Sequence, residues 1–340
     1  MKEHKGNYFA KVVLPKDCRK DLNWWAKNIT TETYPIRKRE VNITLESDAC
    51  TTGWGGCKVA NEIRKRTGGN WTSKESQLHI NYLELKAAWF VIQSFCKGTK
   101  NCHIRLYSDN TTTVSYLNNM GGTKKQCNDI AREIWLWCYE NKNWISSAHL
   151  PGKDNVVADQ ESRSIHDNME WKLHPTLFKR ICDRWGHPEI DLFANRLNHQ
   201  ISSYVSWKPD PGAIAVDSLS MNWSSKFFYA FPPFNMIGKV LRKIEEENAK
   251  GLLVVPYWPT QTWFPKFLKM CVNGPCVLYR KDANPTLSHP WRKQASLPST
   301  RMLAALVSAT CLQPSKSLVQ QESCYCHHGG KGHINNMEHI

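Results

Sequence analysis

Between Val41 and Ser164 the apolar pattern runs strand, strand, strand, helix, strand, helices, strand, helix, and this succession restricts the fold to an α/β sheet domain. "VNITLESD" alternates as a half-buried strand should, "GWGGCKVA" follows as its hairpin partner, and "EIRKRTGGNW" reads as a polar third strand with a Gly-Gly turn. In "HINYLELKAAWFVIQSFC", Ile80, Leu83, Ala87, Phe90 and Val91 recur at helical spacing, which predicts a buried helix. "CHIRLYSD" supplies a fourth strand, "KKQCNDIAREIWLWCYEN" a long amphipathic helix and "WISSAHLPG" a fifth strand.

The ends of these elements carry acids. Asp48 closes the first strand and Asp109 the fourth, Glu84 sits among apolar neighbours on the first helix, and Asp159 lies about one turn inside the last. A single acid in such a place is explained by a turn, a cap or a salt bridge. Four of them on elements packed over one sheet are another matter, because buried like charges repel and a divalent cation is the usual compensation. The small residues after Asp48 in "ESDACTTGWGG" are expected to leave room for a substrate backbone.

"SDACTTGWGG", "HINYLELKA", "LYSDN" and "AHLPGKDNVVADQESR" resemble, in order, the motif series of the ribonuclease H domain of retroelement polyproteins. The resemblance covers about 41 to 165 and implies a five-stranded mixed sheet with helices. It also implies Asp48, Glu84, Asp109 and Asp159 as the metal-binding and catalytic set, with His149 as a loop histidine near the leaving group. The cofactor implied is a pair of Mg²⁺ (or Mn²⁺) ions, which accept hard carboxylate oxygens. The reaction implied is endonucleolytic cleavage of RNA in an RNA–DNA hybrid, where 2′-hydroxyls and shape are read rather than bases. Arg64, Lys65 and Arg66 are candidates for phosphate contacts, with an ordinary solvated strand face as the alternative.

Charge agrees with such a partner. Lys+Arg 45 against Asp+Glu 30 leave a formal net charge of +15 over 340 residues, which favours a polyanion. Apolar runs such as "GLLVVPYW" are too short to cross a bilayer, so no membrane partner is expected. "MKEHKGNYF" has no apolar core of a secretory signal, and thirteen irregularly spaced cysteines read as mostly buried thiols. A reducing compartment, cytoplasm or nucleus, is the expectation.

A second α/β domain is expected over 166–290, after a basic connection segment and linker over 1–40 and the ribonuclease H-like domain over 41–165. In it "EIDLFA", "SKFFYAFPPF" and "LLVVPYW" read as strands of a parallel sheet, "MIGKVLRKIEEENAKG" as a helix closed by Gly251, and "TWFPKFLKMC" as another helix. "DLFANRLNHQISSYVSWKPDPG", "VDSLSMNW", "FPPFN" and "VVPYWPTQTWF" together look like the Dam-like (adenine-N6 methyltransferase-like) region that follows ribonuclease H in DIRS-type retrotransposons. The resemblance implies a Rossmann-like fold and a cofactor site at Asp191, Phe193, Pro232, Pro233 and Phe234. Active members place Asp, Asn or Ser before Pro-Pro-aromatic to hold the flipped adenine amine, and this chain has Phe231 there. "DLFANRLN" also lacks the close glycines of the cofactor loop, so S-adenosylmethionine binding and methyl transfer are not expected.

The chain has no Tyr-x-Asp-Asp polymerase motif and reads as a polyprotein fragment, with a reverse transcriptase of the same element as a possible partner. Residues 291–340 read as a loosely ordered tail, and "CYCHH" within them as a chance cluster rather than a metal site. Two alternatives to the ribonuclease stand beside it: a catalytically silent nucleic-acid-binding remnant, and a DNA adenine methyltransferase acting through the second domain.

Overall fold

A computed structural model describes residues 9, 11, 13–31, 40–61, 63–164, 171–278, 287–288 and 301–309. Two compact units make up the chain, Met1–Glu40 and Val41–Ile340. In the first, α1 (Lys16–Asn28) begins earlier than "LNWWAKNI" suggests, and its Trp24 and Trp25 rings meet edge to face at 5.1 Å. Most of the expected linker "YPIRKRE" lies outside the described residues, as does "CYCHH".

The second unit opens with an antiparallel meander of β1 (Ile43–Ala49), β2 (Gly53–Ala60) and β3 (Ile63–Asn70). Then come α2 (Ile80–Cys96), β4 (His103–Ser108), α3 (Thr111–Asn118), α4 (Lys125–Glu140), β5 (Trp144–His149) and α5 (Val156–Arg163). β4 runs parallel to both β1 and β5, so the sheet is mixed and five-stranded, in the order β3-β2-β1-β4-β5. Its core is built from Leu45, Leu83, Leu85, Ile92, Ile104 and Leu106, all fully buried, with Trp54 and Trp71 against Phe90. Gly68 and Gly69 stand inside β3, paired with Gly55 and Trp54, and do not form the expected turn.

β2 explains its own glycines. A Cβ at Gly55 would come within 2.3 Å of the Ser162 amide on α5, and one at Gly56 within 2.3 Å of Val91 on α2. Successive residues of a strand face opposite sides, so α5 and α2 press on the two faces of the same strand. Gly55 and Gly56 therefore make room for the two helices rather than for the nucleic-acid backbone that the sequence suggested.

The remainder comprises β6 (Lys172–Leu173), α6 (Pro175–Trp185), β7 (Ile190–Asp191), β8 (Val205–Ser206), β9 (Ala215–Val216), β10 (Phe227–Ala230), α7 (Ile237–Glu246), β11 (Lys250–Pro256), α8 (Phe264–Met270), β12 (Cys276–Leu278), β13 (Leu287–Ser288) and β14 (Met302–Ser308). Its main sheet has the order β12-β14-β11-β10-β7. β7, β10 and β11 pair in parallel, while β14 runs antiparallel to both of its neighbours, β11 and β12, so the expected parallel sheet is in fact mixed. β14 lies in the stretch read as a loose tail. "MLAALVS" is a continuous apolar run, the mark of a strand covered on both faces.

Gly251 does not close α7. That helix ends at Glu246, the chain turns through Asn248 at φ 51°, and Gly251 lies within β11. A Cβ there would meet the Phe228 ring and carbonyl at 2.5 Å. Seven of the ten described cysteines are buried and all ten are free thiols. Among the described residues no helix is long and apolar enough to cross a membrane.

Candidate metal centre

β1 and β4 are neighbouring parallel strands, so Asp48 at the end of one and Asp109 just past the other emerge side by side. Glu84 reaches them from the second turn of α2. One carboxylate oxygen from each of the three lies within 4.8 Å of the others. Asp48 and Glu84 are buried and Asp109 half-buried, so solvent does little to screen their repulsion.

The cluster's titration follows from that crowding. Burial pushes the Asp48 carboxyl up to about 6, and the charges of Asp109 and Asp159 add to the rise while a hydrogen bond from Ser162 opposes it. Burial, then the charges of Asp48 and Asp109, push Glu84 to about 9, against the pull of the Ala49 amide. Ser162 Oγ donates to Asp48 Oδ2 at 2.6 Å. Glu84 Oε2 is buried and has no hydrogen-bond partner. A buried, unpartnered oxygen on a carboxylate clustered with two others suits a hard divalent cation, which replaces missing donors and cancels like charge.

Asp159 stands outside this group of three. Its Oδ1 accepts from Arg163 Nε at 2.7 Å, one helical turn along α5, and the carboxylate is 40% exposed. The pairing raises the Arg163 pKa further. His149 is exposed at the end of β5, in register with Ser108 and so beside Asp109. The Pro-Gly turn after it passes close enough that a Cβ at Gly152 would come within 3.1 Å of Asp109 Oδ2.

Two supporting residues escaped the sequence reading. Ser162 orients Asp48, and Asn155, fully buried, donates from Nδ2 to the Ser47 carbonyl at 3.0 Å. Both lie within "NVVADQESR", where the resemblance includes the Asn and the Ser in its motif without giving either a role. Of the candidate phosphate contacts, Arg64 pairs with Glu46 at 3.1 Å and Arg66 with Glu161 at 3.5 Å, while Lys65 is exposed.

In the second sheet, a cavity of about 420 Å³ opens beyond the ends of β7 and β10. Phe193, Phe231 and Pro233 line it on one side and Trp54, Gly68 and Asn70 on the other. Pro232 and Phe234 do not line it; Pro232 is buried and Phe234 packs edge to face on Trp258 at 5.0 Å. Asp191 is also absent from the wall. It is fully buried, and its oxygens accept from the amides of Phe193 (3.4 Å) and Gln200 (2.9 Å). Burial pushes it up to about 7 against those two bonds.

No protein-family model matches the chain. Over 176 residues it is 26% identical to the enzymatic polyprotein of Cauliflower mosaic virus strain D/H, which accounts for 45% of this chain and 26% of that protein. The polyprotein of strain Strasbourg is likewise 26% identical over 176 residues, 45% of this chain and 25% of that protein. The chain spans about a quarter of the length of these curated relatives. Among solved structures, ribonuclease H1 of Halobacterium salinarum NRC-1 aligns at 13% identity and a TM-score of 0.29, covering 35% of this chain and 92% of that one. LC11-RNase H1 in complex with an RNA/DNA hybrid aligns at 14% identity and a TM-score of 0.31, covering 35% and 93%.

Proposed function

We propose that the chain is a segment of a retroelement polyprotein, of DIRS type by its domain order, whose 41–165 region is a ribonuclease H-type endonuclease. The observation that carries this reading is the convergence of Asp48, Glu84 and Asp109, with Glu84 Oε2 buried and unpartnered. These three residues would hold Mg²⁺ or Mn²⁺. Asp159, now paired with Arg163, would complete the four-carboxylate set if it turned toward the site. Bound divalent ions supply an activated water and stabilise the departing 3′ oxygen of an in-line displacement.

The chain's own residues do the rest. Asp48 and Glu84 give up the protons that burial lets them keep, Ser162 fixes the Asp48 rotamer, and His149 stands at the exposed rim where the leaving strand exits. RNA–DNA hybrid is the substrate, with the element's reverse transcriptase as its supplier in cytoplasm or nucleus. Labelled hybrid incubated with and without Mg²⁺ tests the reading: cleavage is expected only with the ion, and none in either condition would contradict it. The Asp159–Arg163 bond favours a second reading, a silent remnant that binds hybrid without turning it over.

For the second domain we propose a role that needs no methyl transfer. The Phe231 ring offers no hydrogen-bond acceptor at the cavity wall, and the Asp191 carboxylate is taken up by backbone amides. Calorimetry with S-adenosylmethionine and methyl incorporation into DNA are both expected to be blank. Incorporation by the unmodified chain would overturn this.

A further inference from the structure

The loop between β7 and β9 of the second domain reaches back onto the first sheet and grips both helices that carry its acids. Arg196 Nη1 lies 3.1 Å from both oxygens of Glu75, and its Nη2 donates to Glu75 at 3.1 Å and to the Asn70 carbonyl at 2.8 Å. The guanidinium sits 4.8 Å from the centre of the Phe90 ring on α2. Glu75 also pairs at 2.8 Å with Lys86, two residues beyond Glu84 on the same helix. At the far end of α2, Lys97 donates to the carbonyls of Gly212 and Ala213 at 3.3 and 3.0 Å.

The second helix is held as well. Lys208 lies 3.7 Å from Glu161 on α5, next to Ser162, whose hydroxyl bonds Asp48. Thr67 of β3 donates to the Pro209 carbonyl at 2.6 Å. Arg196 and Glu75 are 18% and 12% exposed, so this is a sheltered pair, and losing Arg196 would take from Glu75 one of its two cationic partners and leave Lys86 as the other.

We propose that Arg196 and Lys208 are positioning residues for the carboxylate cluster: the second domain clamps α2 and α5 onto the first sheet and sets the distance between Glu84, Asp48 and Asp159. This rests on the reading of the cluster as a metal centre. It gives the second domain a task that needs neither cofactor nor substrate of its own.

The test uses the full chain, with Mn²⁺ alone as the probe in calorimetry and Mg²⁺-dependent hybrid cleavage as the second readout. Arg196→Ala is expected to weaken Mn²⁺ binding roughly tenfold, the low end of what losing a group that orients metal ligands costs, and to lower kcat more than KM changes. Arg196→Lys should recover part of the affinity, since an ammonium can still pair with Glu75. Lys208→Ala, a milder lesion that keeps the test open should Arg196→Ala not fold, should weaken Mn²⁺ binding by a few fold. Leu241→Ala, buried on α7 in the second core, should lower Tm yet leave Mn²⁺ affinity unchanged below its melting point. A folded Arg196→Ala or Lys208→Ala chain with wild-type Mn²⁺ affinity would overturn the clamp. So would a Leu241→Ala chain weakened as much as Arg196→Ala, because the effect would then be one of general stability. A wild-type chain that binds no Mn²⁺ would instead remove the metal-centre reading itself.

Discussion

Both sheets of this chain bury an aspartate at the end of a strand, and they treat it in opposite ways. Asp191, the last residue of β7, accepts at each oxygen a hydrogen bond from a nearby backbone amide. Asp48, at the end of β1, has one bond from Ser162 and faces Glu84 and Asp109, and Glu84 keeps one oxygen with no donor at all. The first arrangement is complete in itself and holds a loop. The second is incomplete by construction, which is the condition under which a cation stabilises a fold and acquires a reaction. Burial alone does not tell the two apart; the identity of what faces each oxygen does.

The largest expected effect separates them by activity. Glu84→Gln removes a proposed metal ligand and should lower Mg²⁺-dependent hybrid cleavage by about a thousandfold, equivalent to about 4 kcal/mol of barrier. Asp191→Asn should leave the rate per folded molecule within about twofold, far below one tenfold step. A loss of cleavage in folded Asp191→Asn comparable to that in Glu84→Gln would erase the distinction.

Stability should divide them with opposite signs. Asp191→Ala strips the acceptor from two loop amides and should cost about 1–2 kcal/mol in urea unfolding near pH 6. Asp48→Asn relieves crowding while keeping an acceptor for Ser162, and should stabilise the metal-free chain by roughly 1–3 kcal/mol. If both substitutions destabilise to the same degree, the acids of the first sheet are not in conflict.

A smaller effect is expected from pH. Burial pushes Glu75 upward, but Arg196, Lys86 and the Thr72 amide outweigh it and hold the carboxyl at about 2, below its ordinary 4.5. Its contribution to stability is therefore complete above pH 4.5 and is lost as pH falls toward 2. Asp48 runs the other way: its carboxyl is raised from 3.8 to about 6, so metal-free stability falls as pH rises across that interval. Urea midpoints of Glu75→Gln and Asp48→Asn should each lose one of these two slopes and keep the other. A wild-type midpoint flat from pH 2 to 6 would contradict both.

What could be read from the sequence follows the same division. Strands with clean alternation, such as "VNITLESD", and the long helices α2 and α4 announce themselves by period, because each buries one face in a core. The positions of Asp48, Asp109 and Glu84 on strand ends and helix are therefore legible from the sequence. Glycine was the weak point. Gly55 and Gly56 make room for two helices, Gly68 and Gly69 lie inside a strand, and Gly251 sits under Phe228, yet all three patterns look like turns, caps or substrate clearance in one dimension. β14 is legible only as the continuous apolar run "MLAALVS", which has no alternation and so does not separate a covered strand from a buried helical turn until its pairing with β11 and β12 is seen. The Asp159–Arg163 pair is legible as an i,i+4 spacing, but whether Asp159 turns to Arg163 or to the other acids is not.

Anomalous scattering from Mn²⁺ in crystals of the full chain tests the central claim most directly. A peak is expected among the carboxylates of Asp48, Glu84 and Asp109, about 2 Å from the oxygens it binds, with none at Asp191. A crystal that holds Mn²⁺ only elsewhere, or leaves those three carboxylates without density at millimolar ion, would contradict the account.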